Sequence, residues 1–553
     1  MRTTLCSLIF LMSLAPSGFT DEPNKPQVPL FDGLGERSRK IQTKNPKAQR
    51  YFDQGVMFIA DFNHDEAVRS FREAARLDPE CAMAYWGIAL ARSTNINHPD
   101  FTPAKAKVIA EAVAKAREKA NGEKDANRAL IEALAVRYPA PAPKERADAE
   151  KAYSRAMKAV WEKFPKDADV GTLYAESLMN LRPYDYWKED GKPQPWTPEI
   201  LGTLDTVRIL DPTHPLANHL YIHAVDWSPE SGKAIAAADA LRGKYPALGH
   251  LVHMPSHIDV IHGRWQQAID ANRLALAADC KYRKAVPEQG IYRMYMAHNF
   301  HMLTFAATMQ GQSDLALKTM REMIVELFPK EVVAVKENVV LADGLMAMPL
   351  EVLKRFGRWD DVLKEPEPPE IFPFTRAMRH YNRGVAFAAK AQVDKAREAQ
   401  RSFRAAVKLV PEGAQFTLHF NKAADLLAIA DHMLEGEILF REGKRKEAIA
   451  ALETAVARED RLLPDDPPDW FIPARHTLGA TLLKSKQAEA AQKVYREDLR
   501  RWPNNGWSLH GLAQTLQALN KKEEAAKVKE RFKEAWKRAD LEIPSSCFCV
   551  EGR

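Results

Sequence analysis

Nine of the sixteen histidines in this 553-residue chain fall between His214 and His301. They stand in three stretches: THPLANHLYIHAVDW, GHLVHMPSHIDVIHGRW and YMAHNFHMLTF. Neutral imidazole binds zinc, copper, iron and nickel, and it also titrates near neutral pH. On a helix, residues three or four apart carry their Cβ atoms about 5–6 Å apart on one face. His219 with His223, His253 with His257, and His298 with His301 have that spacing. Packed helices lie about 8–10 Å apart, so rings from neighbouring helices can meet one ion at about 2.0–2.1 Å. A metal centre is geometrically allowed, and so are two. Three blander readings stand beside it: a lining that binds a carboxylate, phosphate or peptide, a surface that charges near pH 6, and a hydrogen-bonded lining with no ligand. A plain core role fits poorly, because many imidazoles buried together lose hydration that something must replace.

Other chemistries lack their short signatures. No HExxH, CxxCH, GxSxG or phosphate-binding glycine loop occurs in a suitable context. Apolar residues make up 46% and charged residues 28%, as in ordinary folded soluble proteins. The net charge of +6 is small, and the densest charged run, KKEEAAKVKERFKEAWKRAD, mixes signs as a solvated helix face does. Nucleic acid is therefore not an expected partner. The opening MRTTLCSLIFLMSLAPSGFT has the anatomy of a signal peptide, and its apolar run is too short to span a bilayer comfortably. The expectation is a periplasmic or secreted protein with no membrane span after signal removal. Cys81, Cys280, Cys547 and Cys549 remain after the signal, too few for a disulfide framework. Cys81 and Cys280 read as small buried residues, while the Cys547-Phe-Cys549 pair is open to metal, oxidation or neither.

The elements that must position the histidines are helices. From about residue 45 onward apolar residues recur at i, i+3, i+4 and i+7, with no alternating strand pattern. A unit recurs as NHDEAVRSFREAARLDP (63–79), GRWQQAIDANRLALAAD (263–279), GQSDLALKTM (311–320), GKRKEAIAALETAVARED (443–460) and KQAEAAQKVYREDLRRWP (486–503). These segments resemble tetratricopeptide repeats of about 34 residues, over most of 48–540. The resemblance implies an all-α, right-handed superhelical solenoid of helix–turn–helix repeats with a concave groove for a protein or peptide. It also implies that the first helix of each unit lines the groove through its positions 2, 5 and 9.

Counting from the turn glycines Gly263 and Gly311, and from Ala234 where the glycine is absent, assigns those positions in three successive units. They are Leu216, His219 and His223; His250, His253 and His257; and His298, His301 and Phe305. Seven histidines are thereby expected on one surface, with His214 and His262 off it. The same count places Glu176 at position 9 of the preceding unit and Asp226 beside His223, as carboxylates at the edge. Pro255 interrupts this picture, because it either kinks its helix or marks a first turn, which leaves the aim of His250 and His253 open. Pro349 occupies the matching place in AMPLEVLKRFGRW, where the histidines are absent.

The expected organisation is a signal peptide at 1–20, an extended segment at 21–45 and an N-terminal array at 46–363, with histidine-rich units at 214–305. A Pro-rich boundary at 364–374, a C-terminal array at 375–540 and an irregular tail at 541–553 follow. Loops are expected at 138–148 and, with two tryptophans, at 184–198. The functional expectation is a scaffold or binding protein whose groove carries a transition-metal ion (Zn, Cu or Fe) on His219, His223, His250, His253, His257, His298 and His301. The alternatives are a metal-dependent enzyme with an open coordination position and Glu176 or Asp226 as proton acceptor, and a metal-free peptide-binding module.

Overall fold

The structure, a computed structural model, describes residues 28–99, 101–139, 146–415 and 421–551. The expected signal peptide at 1–20 and part of the 138–148 loop lie outside the described residues. Among the described residues extended pairing is limited to two isolated bridges, Trp187 with Pro193 and Gln415 with Lys422; the rest of the regular structure is helical. No described helix is long and apolar enough to cross a membrane.

The chain forms two compact units. Unit 1 comprises the residues up to Ile258 together with Ala277–Tyr292, and unit 2 comprises Asp259–Leu276 and Arg293 onward. Helices of unit 1 are α1 (Pro46–Ala60), α2 (His64–Leu77), α3 (Ala82–Arg92), α4 (Pro103–Lys119), α5 (Asp125–Arg137), α6 (Arg146–Lys163), α7 (Ala168–Met179), α8 (Thr197–Leu210), α9 (Pro215–Val225), α10 (Ile235–Leu241) and α11 (Gly249–His253). The division then runs through α12 (Pro255–Ile261), α13 (Trp265–Ala285) and α14 (Tyr292–Met309).

Local chemistry starts these helices. Asn45 accepts from the Lys47 amide ahead of Pro46, Asn63 accepts from Glu66, and Asp167 accepts from Val170, each satisfying an orphan donor of a first turn. Within unit 1 consecutive helices pack in pairs, α1 with α2, α3 with α4, α5 with α6 and α7 with α8, and α1 also meets α9. Phe71 of α2 shows how closely they approach. A Cβ on Gly55 of α1 would lie 2.6 Å from its ring, and one on Gly87 of α3 2.4 Å. Unit 2 repeats the device with Tyr495 between Gly479 and Gly511, at 2.5 and 2.3 Å. The inter-helix turns are equally regular. Gly263, Gly311, Gly357 and Gly443 hold φ between 65° and 79°, while Phe62, Ala391, Lys486 and Asn520 do so at 55–62°. At Gly263 a side chain would also collide with the Pro503 carbonyl oxygen, 2.1 Å from an added Cβ. The fold is thus all-α, built of helix–turn–helix repeats of tetratricopeptide type.

The segment from Val28 to Lys44 carries no helix and straps unit 1 together. The Tyr51 hydroxyl donates to the Val28 carbonyl at 3.1 Å. Arg37 bridges Asp169 and Asp211, both at 2.6 Å, and Arg39 bridges Asp167 and Asp169, both at 3.0 Å. In unit 2, the mostly exposed Pro-rich segment 364–374 joins two parts of one apolar core rather than separating two cores. Trp359 and Val362 before it and Ala377 and Met378 after it share that core, so the run acts as a turn between two packed helices, Trp359–Lys364 and Pro373–Ala389. The terminal segment also docks on unit 2. Ser546 is buried, the Tyr495 and Ser546 hydroxyls lie 2.7 Å apart, and Cys547 is joined to Cys549 by a disulfide.

Candidate metal centre

The site begins with α9, whose first turn is capped by His214; its Nδ1 accepts from the Ala217 amide at 3.2 Å. His219 and His223 follow one turn apart on one face, with ring centroids 5.0 Å apart. Both are buried, at 0% and 6% exposure. His219 Nδ1 lies 2.7 Å from the carbonyl oxygen of Ala60 at the end of α1. A carbonyl only accepts, so Nδ1 carries the proton and Nε2 keeps a bare lone pair. That Nε2 is buried without a hydrogen-bond partner, as is Nε2 of His223. On the far side of the His223 ring, Nδ1 stands 3.4 Å from Asp226 Oδ2, and Asp226 accepts from the Trp227 amide at 2.8 Å. An orphaned buried polar atom costs about 1–3 kcal/mol, and two side by side call for an explanation.

His250 brings the third ring. Its short helix α11 is tied down by Asp61, which accepts from the Leu251 amide at 2.8 Å and from the Tyr292 hydroxyl at 2.7 Å. The His250 amide donates in turn to the Tyr292 oxygen at 3.0 Å. Gly249 lies just before it, and a Cβ there would stand 2.0 Å from Asp279 Oδ1, so a larger residue would displace that carboxylate. One nitrogen from each of His219, His223 and His250 lies within 4.8 Å of the others. Three nitrogens sharing one ion at about 2.0–2.1 Å are about 3.3–3.6 Å apart, so the rings would draw closer on binding one.

Pro255 opens a new helix after a break at Met254, so His250 and His253 sit on the short segment before it and His257 on the one after. The same break recurs at Ala347, two residues before Pro349. The rings nevertheless turn together. His253 Nε2 and His257 Nε2 are 2.9 Å apart, and the centroid separations are 5.6 Å from His250 to His253, 4.8 Å from His253 to His257 and 5.6 Å from His257 to His223. With 5.0 Å between His219 and His250, five imidazoles close into a ring. Phe62 covers one side of it, its centroid 4.2 Å from His219 and 5.7 Å from His250. Tyr184, from the loop at 184–198, meets His223 edge-on at 5.8 Å.

Burial holds His219 neutral: desolvation, then the neighbouring His223, push its pKa well below the ordinary imidazole value against the pull of the Ala60 carbonyl. A neutral ring binds metal without first losing a proton. Burial raises Asp226 above the usual carboxylate range, opposed by His223. His64, beyond Phe62, is pushed down to about 3 by burial and by His98, and the Asn95 amide nitrogen lies 3.1 Å from its Nε2.

The other expected residues stand as follows. His298 and His301 are on α14 within unit 2, where His301 is buried and stacks on Phe471 at 5.4 Å; His298 is half-buried. His214 joins Asp169 and Thr172, both at 3.2 Å, in the strap network. Glu176 keeps company with Arg137, Asn180 and Glu150, and burial raises its pKa. Of the two carboxylates, Asp226 is the one beside the imidazoles. Asp61 and the Ala60 carbonyl, which also brace the site, carry no signature in the sequence. Phe62 had a signal, since it occupies the place of the turn glycine in NHDEA-type units.

No family model matches the chain, and no curated protein matches it. Among solved structures it is similar to a human IFIT1 dimer with m7Gppp-AAAA, at 14% identity and TM-score 0.33 over 91% of this chain and 92% of that one. Yeast Tom70 follows at 13% and 0.28 over 89% and 91%, and Ypp1 at 9% and 0.37 over 91% and 66%. Likeness at this level carries no argument about what this chain does.

Proposed function

We propose that this chain is an exported helical-repeat scaffold that holds a transition-metal ion, zinc, copper or iron, between His219, His223 and His250. The observation that carries the reading is the pair of buried, unpartnered Nε2 atoms on His219 and His223, converging with a nitrogen of His250. Behind them, the Ala60 carbonyl accepts from the opposite nitrogen of His219, and the Asp226 carboxylate stands 3.4 Å from that of His223, the groups that support metal-bound histidines. The disulfide at Cys547 supports export, since such bonds persist in oxidising compartments. A protein or peptide along the repeat surface remains the proposed partner.

A metal-dependent enzyme is the second reading, favoured by the fact that three imidazoles leave a fourth position for water. It needs a base, and neither candidate carboxylate is placed as one: Asp226 stands 3.4 Å from the far nitrogen of His223, on the side away from its Nε2, and Glu176 lies beside Arg137. Binding is therefore the better-supported role. Elemental mass spectrometry of the purified protein, with His219→Ala and His223→Ala variants, tests it. Wild-type protein should retain metal and each variant should lose it. A wild-type chain that stays metal-free after incubation with zinc, copper and iron overturns the proposal.

A further inference from the structure

We infer that the imidazole ring takes a second zinc- or copper-class ion, held by His253 and His257; this rests on the proposal above for the first. The Nε2 atoms of the two residues stand 2.9 Å apart. Two nitrogens at that separation, each about 2.0–2.1 Å from one ion, subtend about 90°, the bite of two adjacent ligands. The proton count agrees. The Ser256 hydroxyl donates to the His253 carbonyl at 2.7 Å, so its oxygen faces His253 Nδ1, 3.3 Å away, as an acceptor. Nδ1 is then the protonated nitrogen of His253, and its Nε2 offers a lone pair towards His257.

The backbone supports the same assignment. The break at Met254, ahead of Pro255, turns α11 into α12, and the matching break ahead of Pro349 carries no histidines. The bend therefore belongs to the repeat, and the histidine pair is an addition to it. His257 also neighbours His223, and His253 neighbours His250, so the second ion shares the ring with the first. The competing account is a single N–H···N hydrogen bond between the two rings, which needs no ion.

The experiment is an ion count on the full chain, loaded with zinc chloride and freed of loosely held metal by a weak chelator. Two zinc ions per wild-type chain and one per His253→Gln/His257→Gln chain are expected. One ion per wild-type chain overturns the second site and leaves the first standing, whereas none sinks both. A double variant that still takes two ions overturns the assignment to His253 and His257. Loading the wild-type chain with copper(II) gives a readout that needs no variant. Two copper ions within one ring of imidazoles lie close enough for dipolar coupling, so the paramagnetic spectrum should broaden and show a half-field transition at two ions per chain; a spectrum of isolated ions at that loading counts against the pair.

Discussion

The ring of Phe62 lies against the imidazole of His219 with centroids 4.2 Å apart, and its backbone is held at φ 55° in doing so. Glycine takes that turn in four other repeats. A bulky side chain in the left-handed region costs about 1–2 kcal/mol, so the repeat carries strain where it covers the imidazoles.

That strain gives an unusual ordering of variants. Phe62→Ala should destabilise the metal-free protein by about 3–5 kcal/mol through lost packing. Phe62→Gly should be the less damaging change, by about 1 kcal/mol, because glycine relieves the left-handed backbone. Urea unfolding of both variants checks this, and an alanine variant as stable as the glycine one would refute it.

Asp226 tests the support behind the metal. Asp226→Asn keeps the shape of the side chain but weakens the hold on His223 Nδ1, and affinity should fall about 10–100-fold with the number of bound ions unchanged. Competition against a chromophoric chelator measures it. Unchanged affinity would place Asp226 outside the site.

The N-terminal strap should make unit 1 acid-sensitive. Burial alone would raise Asp169, but the His214 hydrogen bond and the guanidinium groups of Arg37 and Arg39 hold it well below the usual carboxylate range. Its folded pKa is thus below its unfolded one, so its contribution is present above the ordinary carboxylate pKa and is lost as pH falls through the folded value. Asp169→Asn should cost about 2–3 kcal/mol at pH 7 and much less at strongly acidic pH. An equal cost at both would disprove the ionic account.

Glu437 behaves in the opposite sense. It is buried in unit 2, and desolvation raises its pKa from 4.5 to about 7 against the pull of Lys354 and Arg441. The folded state binds the extra proton, so wild-type stability should decline as pH rises through that window, by roughly 3 kcal/mol in all. Glu437→Gln should flatten the decline. Stability curves with parallel slopes would rule this out.

That His219 and His223 share a face is legible because side-chain direction on a helix follows from spacing alone. The helical class was legible from the same periodicity, and the turn positions from the recurring glycines. Pro255 left the aim of His250 and His253 open, and only the turn at Met254 shows their rings joining those of α9. The Ala60 carbonyl left no trace in the sequence, since every residue has one and its placement depends on α1 packing against α9. The run at 364–374 reads as a boundary by composition, yet Trp359 and Met378 on either side of it share one core, and composition does not record which apolar faces meet.

The contact between His219 and Ala60 spans 159 residues of sequence. A pairing that distant forms late, because a long loop must close before it is rewarded. Metal uptake would thus report the completion of folding in unit 1. A nick between α1 and α9 that let the first repeat drift would release the ion while most helices stayed intact.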